Sequence, residues 1–201
     1  MNYKLCPICG VNVIPENEET CALCGTKMHL SSSTQTPPIN AGQQGLCELN
    51  PGTVLGNTQL SLLFRCSTQG GMRRSHRTNT LVLIKNREGV YDDIWKGDIC
   101  YYTGMGLSGD QDFYYRQNRT LYCSGASGIA VHLFEGSPAK SFGSSGFIYT
   151  YIGPVVLAGQ PYYDKQKDIH DDDRRVCIFP LRLKKAPNDR GDFISNCPPT
   201  Y

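Results

Sequence analysis

The fold of this chain is decided by one stretch, Tyr91-Asp-Asp-Ile-Trp-Lys-Gly-Asp-Ile-Cys-Tyr-Tyr-Thr-Gly-Met-Gly-Leu-Ser-Gly-Asp-Gln111. It holds three tyrosines, one tryptophan, four aspartates and four glycines in 21 residues. Such a composition favours a flat-sided pocket in which a planar ligand lies between aromatic faces and a carboxylate contacts its edge. The part Asp98–Thr103 is strand-like, and the glycines after it permit a close approach of the backbone. The same residues would also suit an aromatic hairpin that caps a β-barrel.

Outward from this stretch, short apolar runs separated by glycine and polar turns predict β-strands. One helix is predicted at Asn57–Phe64, and a second, short one at Gln117–Ser124. The pattern indicates a mainly β (α+β) fold, a curved sheet or barrel with a few short helices. The predicted strands are Thr80–Ile84, Asp98–Thr103, Ala130–Phe134, Phe147–Ile152, Pro154–Leu157 and Arg175–Leu183.

Length and charge limit the function classes. A chain of 201 residues suits one domain with a small appendage. The formal net charge of +2 permits a nucleic-acid partner, but only local clustering of basic residues would argue for one. No apolar run approaches the roughly 18 residues that a membrane span needs, and no secretory segment precedes the first cysteine motif. We therefore expect an intracellular, cytoplasmic protein with no membrane partner.

The amino-terminal segment has the pattern of a zinc ribbon. Two CxxC pairs, Cys6-Pro-Ile-Cys9 and Cys21-Ala-Leu-Cys24, are each followed by glycine. This spacing directs four thiolates at one tetrahedral ion, so we expect one structural Zn²⁺ per chain. A redox motif or a disulfide pair is the alternative. The other six cysteines share no ligand spacing and are expected to be buried or idle thiols: Cys47, Cys66, Cys100, Cys123, Cys177 and Cys197.

Composition also divides the chain into segments. The zinc ribbon is assigned to residues 1–28, and the uncharged run inside residues 29–51 is typical of a linker. The main domain is expected to cover residues 52–185, with a tail of weak structural signal at 186–201. The ribbon is therefore predicted to be a tethered module with a partner-docking or accessory role.

A basic loop follows the first helix. Gly70-Gly-Met-Arg-Arg-Ser-His-Arg77 carries three arginines and a histidine within five residues. Guanidinium groups suit phosphate oxygens, and glycines such as Gly71 let a loop lie close to a nucleic-acid backbone. We predict Arg73 and Arg74 as the main DNA contacts, together with Arg77 of the same loop. Lys96, Arg116 and Arg119 would extend the surface, although each alone more often only aids solubility. A solvated basic turn is the alternative.

Several short motifs, in one order along the chain, resemble the SRA (SET and RING-associated) domain. They are more similar still to the SRA-like domains of bacterial modification-dependent HNH endonucleases. The resemblance covers about residues 53–185 and implies a PUA-like barrel that binds DNA carrying 5-methylcytosine. It also implies a protein of prokaryotic type that is associated with the nucleoid when bound to DNA. The motifs are Gly70–Ser75, Asn79–Ile84, Tyr91–Asp93, Tyr102–Gln111, Gln117–Leu121, Val131–Glu135, Tyr149–Gly153 and Phe179–Leu181.

The resemblance also implies roles for individual residues. Tyr91 and Tyr102 match the two tyrosines that stack on a flipped base. An aspartate after the first tyrosine accepts the cytosine exocyclic amine; we choose Asp93 and keep Asp92 open. Thr103 matches a pocket threonine. Trp95 is expected either to line the pocket wall or to fill the core.

Three function classes follow. The first is a module that flips 5-methylcytosine or 5-hydroxymethylcytosine out of duplex DNA for a modification-dependent restriction system. The second is an enzyme, but the sequence has no HNH nuclease motif, so catalysis would belong to a nuclease domain or subunit elsewhere. The chain would then be a fragment of an HNH endonuclease or its partner. The third is a PUA-like RNA-binding protein.

Overall fold

A computed structural model of the chain describes residues 3–5, 13–15, 49–86, 93–139 and 146–197. Eleven strands and three short helices are described. The helices are α1 (Asn57–Phe64), α2 (Arg116–Tyr122) and α3 (Ser124–Ser127). The strands are β1 (Tyr3–Leu5), β2 (Val13–Pro15), β3 (Val54–Gly56), β4 (Met72–Ser75), β5 (Thr80–Asn86), β6 (Ile94–Lys96), β7 (Ile99–Thr103), β8 (Ala130–Pro138), β9 (Phe147–Leu157), β10 (Tyr162–Lys167) and β11 (Asp173–Leu183).

Nine of these strands form one sheet. Its order is β4-β5-β8-β9-β11-β7-β6, with β10 paired to β11 and β3 paired to β9. Every pairing is antiparallel except that of β5 with β8. A parallel pair needs a long crossover, and here the segment between β5 and β8 contains β6, β7, α2 and α3. The prediction of a mainly β fold with a few short helices is confirmed.

The centre of the sheet is buried on both faces. Along β5, Leu81 and Leu83 belong to one core cluster, whereas Val82 and Ile84 belong to the other. This alternation follows from the two-residue period of a strand. A strand covered on both sides is a nearly continuous apolar run, and the sequence Leu-Val-Leu-Ile at residues 81–84 has that form.

Helix α1 covers one face of the sheet. It was predicted at the residues where it is found, Asn57–Phe64. The Gln59 side chain accepts the backbone N–H of Gly56 at 2.8 Å and so caps the first turn. Leu60, Leu63 and Phe64 recur at helical spacing and are all buried. Each such side chain contributes about 1.5–3 kcal/mol when it leaves water.

Three details of the sheet differ from the prediction. Residues 147–157 form one strand rather than two, and Gly153 within it has φ 148°. A Cβ there would lie 2.8 Å from the Leu183 side chain, so glycine marks a close approach and not a break. The predicted basic loop contains strand β4, and the strongly polar Tyr162–Lys167 forms strand β10 with five of its six residues exposed.

The segment after β11, for which the sequence predicts little structure, packs against the sheet. Arg182 is buried and binds both Asp189, at 2.7 Å, and Asp192, at 2.8 Å. These bonds lower the pKa of both carboxyl groups and raise the pKa of the guanidinium. Gly191 is required on this path because a Cβ would lie 2.5 Å from the Leu157 carbonyl oxygen.

The described cysteines comprise three free thiols, at Cys66, Cys100 and Cys177, and one disulfide pair. Cys100 and Cys177 are buried thiols, as predicted, and burial raises the pKa of each to about 12. The prediction was wrong for Cys123 and Cys197, which form a disulfide across a sequence separation of 74 residues. Their spacing carries no signal because the pairing depends on the return of the tail to α2.

The zinc-ribbon prediction lies mostly outside the described residues. Strands β1 and β2 pair antiparallel, with Tyr3 opposite Pro15. The four predicted ligands, Cys6, Cys9, Cys21 and Cys24, lie outside the described residues. Within the described ranges, no group of His, Cys, Asp or Glu side chains is placed to hold a metal ion. No helix in the described part of the chain is long and apolar enough to cross a membrane.

Candidate nucleic-acid interface

The predicted base pocket centres on the end of strand β7. Tyr102 is 3 % exposed, and its hydroxyl donates to the Gly71 carbonyl oxygen at 3.1 Å. The ring therefore belongs to the core beneath the basic loop. A Cβ on Gly71 would lie 3.5 Å from this hydroxyl, in ordinary contact. The structure thus brings together two predicted site residues, Tyr102 and Gly71.

A carboxylate lies beside the same strand end. Asp93 Oδ1 accepts the backbone N–H of Thr103 at 2.7 Å. The negative charge of Asp93 also contributes to the raised pKa of Cys100, although burial of that thiol is the larger cause. Of the predicted pocket residues, Asp93, Tyr102 and Thr103 are therefore neighbours. Tyr91 and Asp92 lie outside the described residues.

Thr103 has a second partner that the sequence analysis missed. The side-chain amide of Gln166, on strand β10, donates to Thr103 Oγ1 at 3.0 Å. Gln166 is partly buried, whereas its neighbours Lys165 and Lys167 are exposed. No local pattern distinguishes this glutamine from the polar residues around it, because its position depends on the pairing of β10 with β11.

Two buried amides hold the glycine-rich loop that follows Thr103. Asn118 is fully buried; its Oδ1 accepts the Met105 N–H at 2.7 Å, and its Nδ2 donates to the Met105 carbonyl at 3.2 Å. Gln111 Nε2 donates to the Gly104 carbonyl at 2.8 Å. A Cβ on Gly104 would lie 2.7 Å from Asn118 Oδ1, so only glycine fits there. Both amides fall within the motifs quoted above, but the sequence analysis assigned them no role.

An open cavity of about 640 Å³ lies between this loop and the basic loop; we call it the central cavity. Gly70 and Gly71 form one wall and Met105–Leu107 another, with Tyr115, Phe147 and Tyr149 adding aromatic surface. Its volume is within the range of about 300–1,000 Å³ that is usual for ligand sites. The aromatic content suits a planar ligand. Asp93, Tyr102 and Thr103 do not line the cavity themselves, but Tyr102 bonds to Gly71 in its wall.

Arg73 contributes to the central cavity from within the core. It is 4 % exposed, and its guanidinium donates to the Gly70 carbonyl at 2.8 Å, to Asn57 Oδ1 at 2.8 Å and to the Tyr149 hydroxyl at 3.3 Å. It also lies 5.2 Å from the centre of the Tyr149 ring. A phosphate contact, as predicted from the sequence, would require the side chain to leave these partners. In the structure Arg73 fixes the basic loop and one aromatic wall.

Arg74 points to a different cavity, of about 430 Å³, which we call the basic cavity. Its guanidinium donates to the Ser75 carbonyl, to the Thr80 carbonyl at 3.0 Å and to Asn79 Oδ1 at 2.8 Å. Burial lowers the pKa of Arg74. The predicted DNA contact Arg119 lines the same cavity, whereas Arg77 is exposed and lines none of the cavities described here.

A third cavity, of about 790 Å³, lies between β8, β9 and the tail; we call it the tail cavity. His132 forms part of its wall, and the Nδ1 atom of His132 lies 2.9 Å from the Tyr151 hydroxyl. Burial, and to a smaller extent the charge of Lys184, lowers the pKa of His132 to about 4. This imidazole is therefore neutral near pH 7.

Trp95 lies on strand β6 and is 37 % exposed. It does not fill the core, which was one of the two predicted roles. Beside it on the same strand, Lys96 lies 5.4 Å from the centre of the Tyr101 ring. This arrangement leaves an aromatic surface at the end of the sheet next to Asp93.

Comparison with solved structures supports the fold. The sulfur-binding and SRA domains of ScoMcrA, complexed with phosphorothioated DNA, superpose with a TM-score of 0.54 at 19% identity, over 73% of this chain and 44% of that one. The ScoMcrA Type IV phosphorothioation-dependent restriction endonuclease also gives 0.54, at 20% identity, over 70% and 28%. KRYPTONITE, in complex with mCHH DNA, an H3(1-15) peptide and SAH, gives 0.51 at 18% identity, over 68% and 32%.

This chain thus spans less than half the length of each of these three structures. At such identities the likeness shows the fold alone. No curated protein sequence matches the chain. A family model, in contrast, matches residues 53–191, which is more than half of the chain. The chain belongs to the family described as ScoMcrA-like, SRA domain.

Proposed function

We propose that this chain binds duplex DNA that contains a modified cytosine, 5-methylcytosine or 5-hydroxymethylcytosine, and flips that base out of the helix. In this role it is the recognition module of a modification-dependent restriction system. Membership of the SRA family supports the proposal. So does the DNA in two of the similar structures, which is phosphorothioated in one and of the mCHH type in the other.

One observation carries the proposal: the Asp93 carboxylate accepts the Thr103 N–H at 2.7 Å. This bond fixes the orientation of the carboxylate at the end of β7. An ionised carboxylate is acceptor-only, so in this proposal it accepts the exocyclic amine of cytosine. The equivalent atom of thymine is itself an acceptor and would be repelled. Asp93 is thus the group that selects cytosine over thymine in this proposal.

Stacking offsets part of the cost of flipping. Extrusion of a base costs a few kcal/mol of lost pairing and stacking. Contact with aromatic faces restores about 1–3 kcal/mol per base, and phosphate contacts supply much of the remainder. We assign the stacking to Tyr91 and Tyr102. The buried amides Asn118 and Gln111 keep the loop after Tyr102 in place before DNA arrives, which lowers the ordering cost of binding.

The test compares one duplex sequence in unmodified, methylated and hydroxymethylated form by gel shift, with 2-aminopurine beside the target cytosine. We expect tighter binding to a modified duplex and a rise in fluorescence as the neighbouring base leaves the stack. Methyl-selective binding without a fluorescence change would mean that the base is recognised in the groove. Equal binding to the three duplexes, or preferential binding to RNA in competition, would refute the proposal.

Asp93→Asn and Asp92→Asn form a matched pair for the same assay. In the Asp93→Asn variant the amide oxygen can still accept the Thr103 N–H, so the fold is kept, but the amide presents either a donor or an acceptor to the base. We therefore add a duplex with thymine at the target position, and expect Asp93→Asn to lower the preference for modified cytosine over thymine and Asp92→Asn to have a mild effect. The reverse result would move the selecting role to Asp92.

Two further parts of the proposal concern a nuclease partner and a metal ion. We propose that cleavage belongs to a nuclease domain or subunit beyond this chain, so a methylated plasmid with Mg²⁺ or Mn²⁺ should remain intact. Cleavage by the pure chain would refute this.

We also propose that residues 1–28 hold one structural Zn²⁺, since the donor set of four thiolates at Cys6, Cys9, Cys21 and Cys24 suits a tetrahedral ion.

A further inference from the structure

The central cavity and the basic cavity lie on either side of a ridge, which is formed by the neighbouring pairs Arg73–Arg74 and Tyr115–Arg116. On β4, Arg73 faces the central cavity and Arg74 the basic cavity. At the start of α2 the same alternation recurs, with Tyr115 in the central cavity and Arg116 in the basic cavity. Because residues adjacent in sequence line different cavities, the two cavities lie close together.

The basic cavity concentrates positive charge. Arg74, Arg116 and Arg119 line it together with His76, and no carboxylate does. Among the described residues, none of these three arginines forms an ion pair with an acidic side chain. The formal net charge of the whole chain is only +2, so this is local clustering, which is the signal expected for an anionic partner.

The backbone at the ridge is also unusual. Arg116 has φ 42°, a conformation that a residue with a side chain seldom adopts. Its guanidinium lies 5.2 Å from the centre of the Tyr115 ring, and both side chains are exposed. Such local strain tends to persist where it holds a functional group in position.

We propose that the basic cavity binds a phosphate of the DNA backbone, on the same duplex whose modified base is bound by Asp93 and Tyr102 beside the central cavity. Arg116 and Arg119 supply the contacts, and Arg74 forms the cavity floor. This inference rests on the proposed function. Each strand of a duplex carries one phosphate per 3.4 Å of axis, so phosphates next to a flipped nucleotide lie within reach of the other side of the ridge.

The surface beyond the basic cavity favours DNA over a small anion. The tail cavity shares Ile129 with the basic cavity and adds Lys184, Lys185 and Arg190. Its single carboxylate, Asp189, is already bound by Arg182. The positive surface therefore continues past the basic cavity, as an extended polyanion requires and a free phosphate ion does not.

The experiment measures the salt dependence of DNA binding for Arg116→Gln/Arg119→Gln. Loss of two phosphate contacts should lower the slope of log K against log salt by about 1.8, that is, about 0.9 per contact. At about 0.1 M salt the affinity should fall roughly 10- to 60-fold, equally for modified and unmodified duplexes. Both side chains are exposed, so the melting temperature should not change. Arg74 is left intact because its donors hold the β4–β5 turn.

The control is Arg65→Gln/Lys165→Gln, which removes the same charge from exposed residues that line none of the three cavities. A wild-type slope in Arg116→Gln/Arg119→Gln, or an equal loss in the control, would overturn the inference. Unchanged DNA binding with lost affinity for inorganic pyrophosphate would assign the cavity to a free anion and would also overturn it. If instead wild-type protein showed no preference for modified DNA while the slope still fell, the base-flipping proposal alone would fail.

Discussion

Replacement of Tyr102 by phenylalanine and, separately, by alanine tests whether this ring serves the core, the base or both. The hydroxyl of Tyr102 donates to the Gly71 carbonyl at 3.1 Å, but that carbonyl also accepts the Ile84 N–H at 2.7 Å. Loss of the hydroxyl therefore leaves the Gly71 carbonyl with one donor. We expect Tyr102→Phe to cost about 0.5–1.5 kcal/mol of the free energy of unfolding.

Tyr102→Ala removes the ring as well. The residue is 3 % exposed and packs in the same cluster as Met72 and Phe179, so its loss creates a cavity in the core. Comparable truncations of buried aromatic residues cost about 3–5 kcal/mol. This is a large share of the roughly 5–15 kcal/mol by which most proteins are stable.

The assay is urea unfolding of both variants, followed by binding to a methylated duplex under conditions in which each remains folded. Tyr102→Phe keeps the ring face, so we expect its affinity to stay within about twofold of wild type, whereas folded Tyr102→Ala should lose about 1–3 kcal/mol of binding. A cost of unfolding below about 1 kcal/mol for Tyr102→Ala would refute the core role. Wild-type affinity in folded Tyr102→Ala would refute the stacking role.

Three other predictions concern stability and metal content. The disulfide between Cys123 and Cys197 should stabilise the domain by about 4 kcal/mol on the chain-entropy model, so a reductant should lower the Tm of the wild type but not that of Cys123→Ser/Cys197→Ser. Because the pKa of His132 falls from 6.5 to about 4 on folding, the unfolded state binds more protons between these values, and stability should drop as pH falls from 6.5 to 4. The drop should be about 1–3 kcal/mol, reduced by the partial exposure of the ring, and His132→Gln should abolish it. Purified protein should carry about one zinc per chain, and metal analysis that finds none, with the amino-terminal cysteines oxidised, would contradict the ribbon.

The sequence correctly predicted those helices and strands whose apolar pattern and capping residues lie within the element itself. Asn57–Phe64 has apolar residues at helical spacing and a side chain that caps its first turn, so its bounds were predicted correctly. The strand predicted at Thr80–Ile84 from its unbroken apolar run is β5, which continues to Asn86. In both cases the burial that stabilises the element is visible in the order of its own residues.

Elements that depend on distant partners were missed or misinterpreted. Strand β4 contains two consecutive arginines and so resembles a solvated loop, until Asn57 and Tyr149 supply partners for Arg73. Strand β10 is polar because five of its six residues are exposed, and only its pairing with β11 identifies it. The pairing of Cys123 with Cys197 likewise needs the path of the tail.

The candidate site likewise combines residues that could be predicted from a local motif with residues whose position depends on distant parts of the chain. The sequence marked Tyr102, Thr103 and Asp93 through a motif, and the structure makes them neighbours. The role of Gln166, which comes from a strand more than 60 residues later and donates to Thr103, could not be predicted. The distribution of the arginines between two cavities was also hidden, because it depends on which face of β4 each residue occupies.

The bond between Cys123 and Cys197 also has a mechanical consequence. Strands β8 to β11 all lie between these two cysteines in sequence, so the bond encloses most of the central sheet in a covalent ring. A force applied between the two ends of the chain would then bypass those strands. With the bond intact, a pulling experiment should record an extension shorter by roughly 250 Å than after reduction, because about 74 residues at 3.3–3.6 Å each stay shielded from the load.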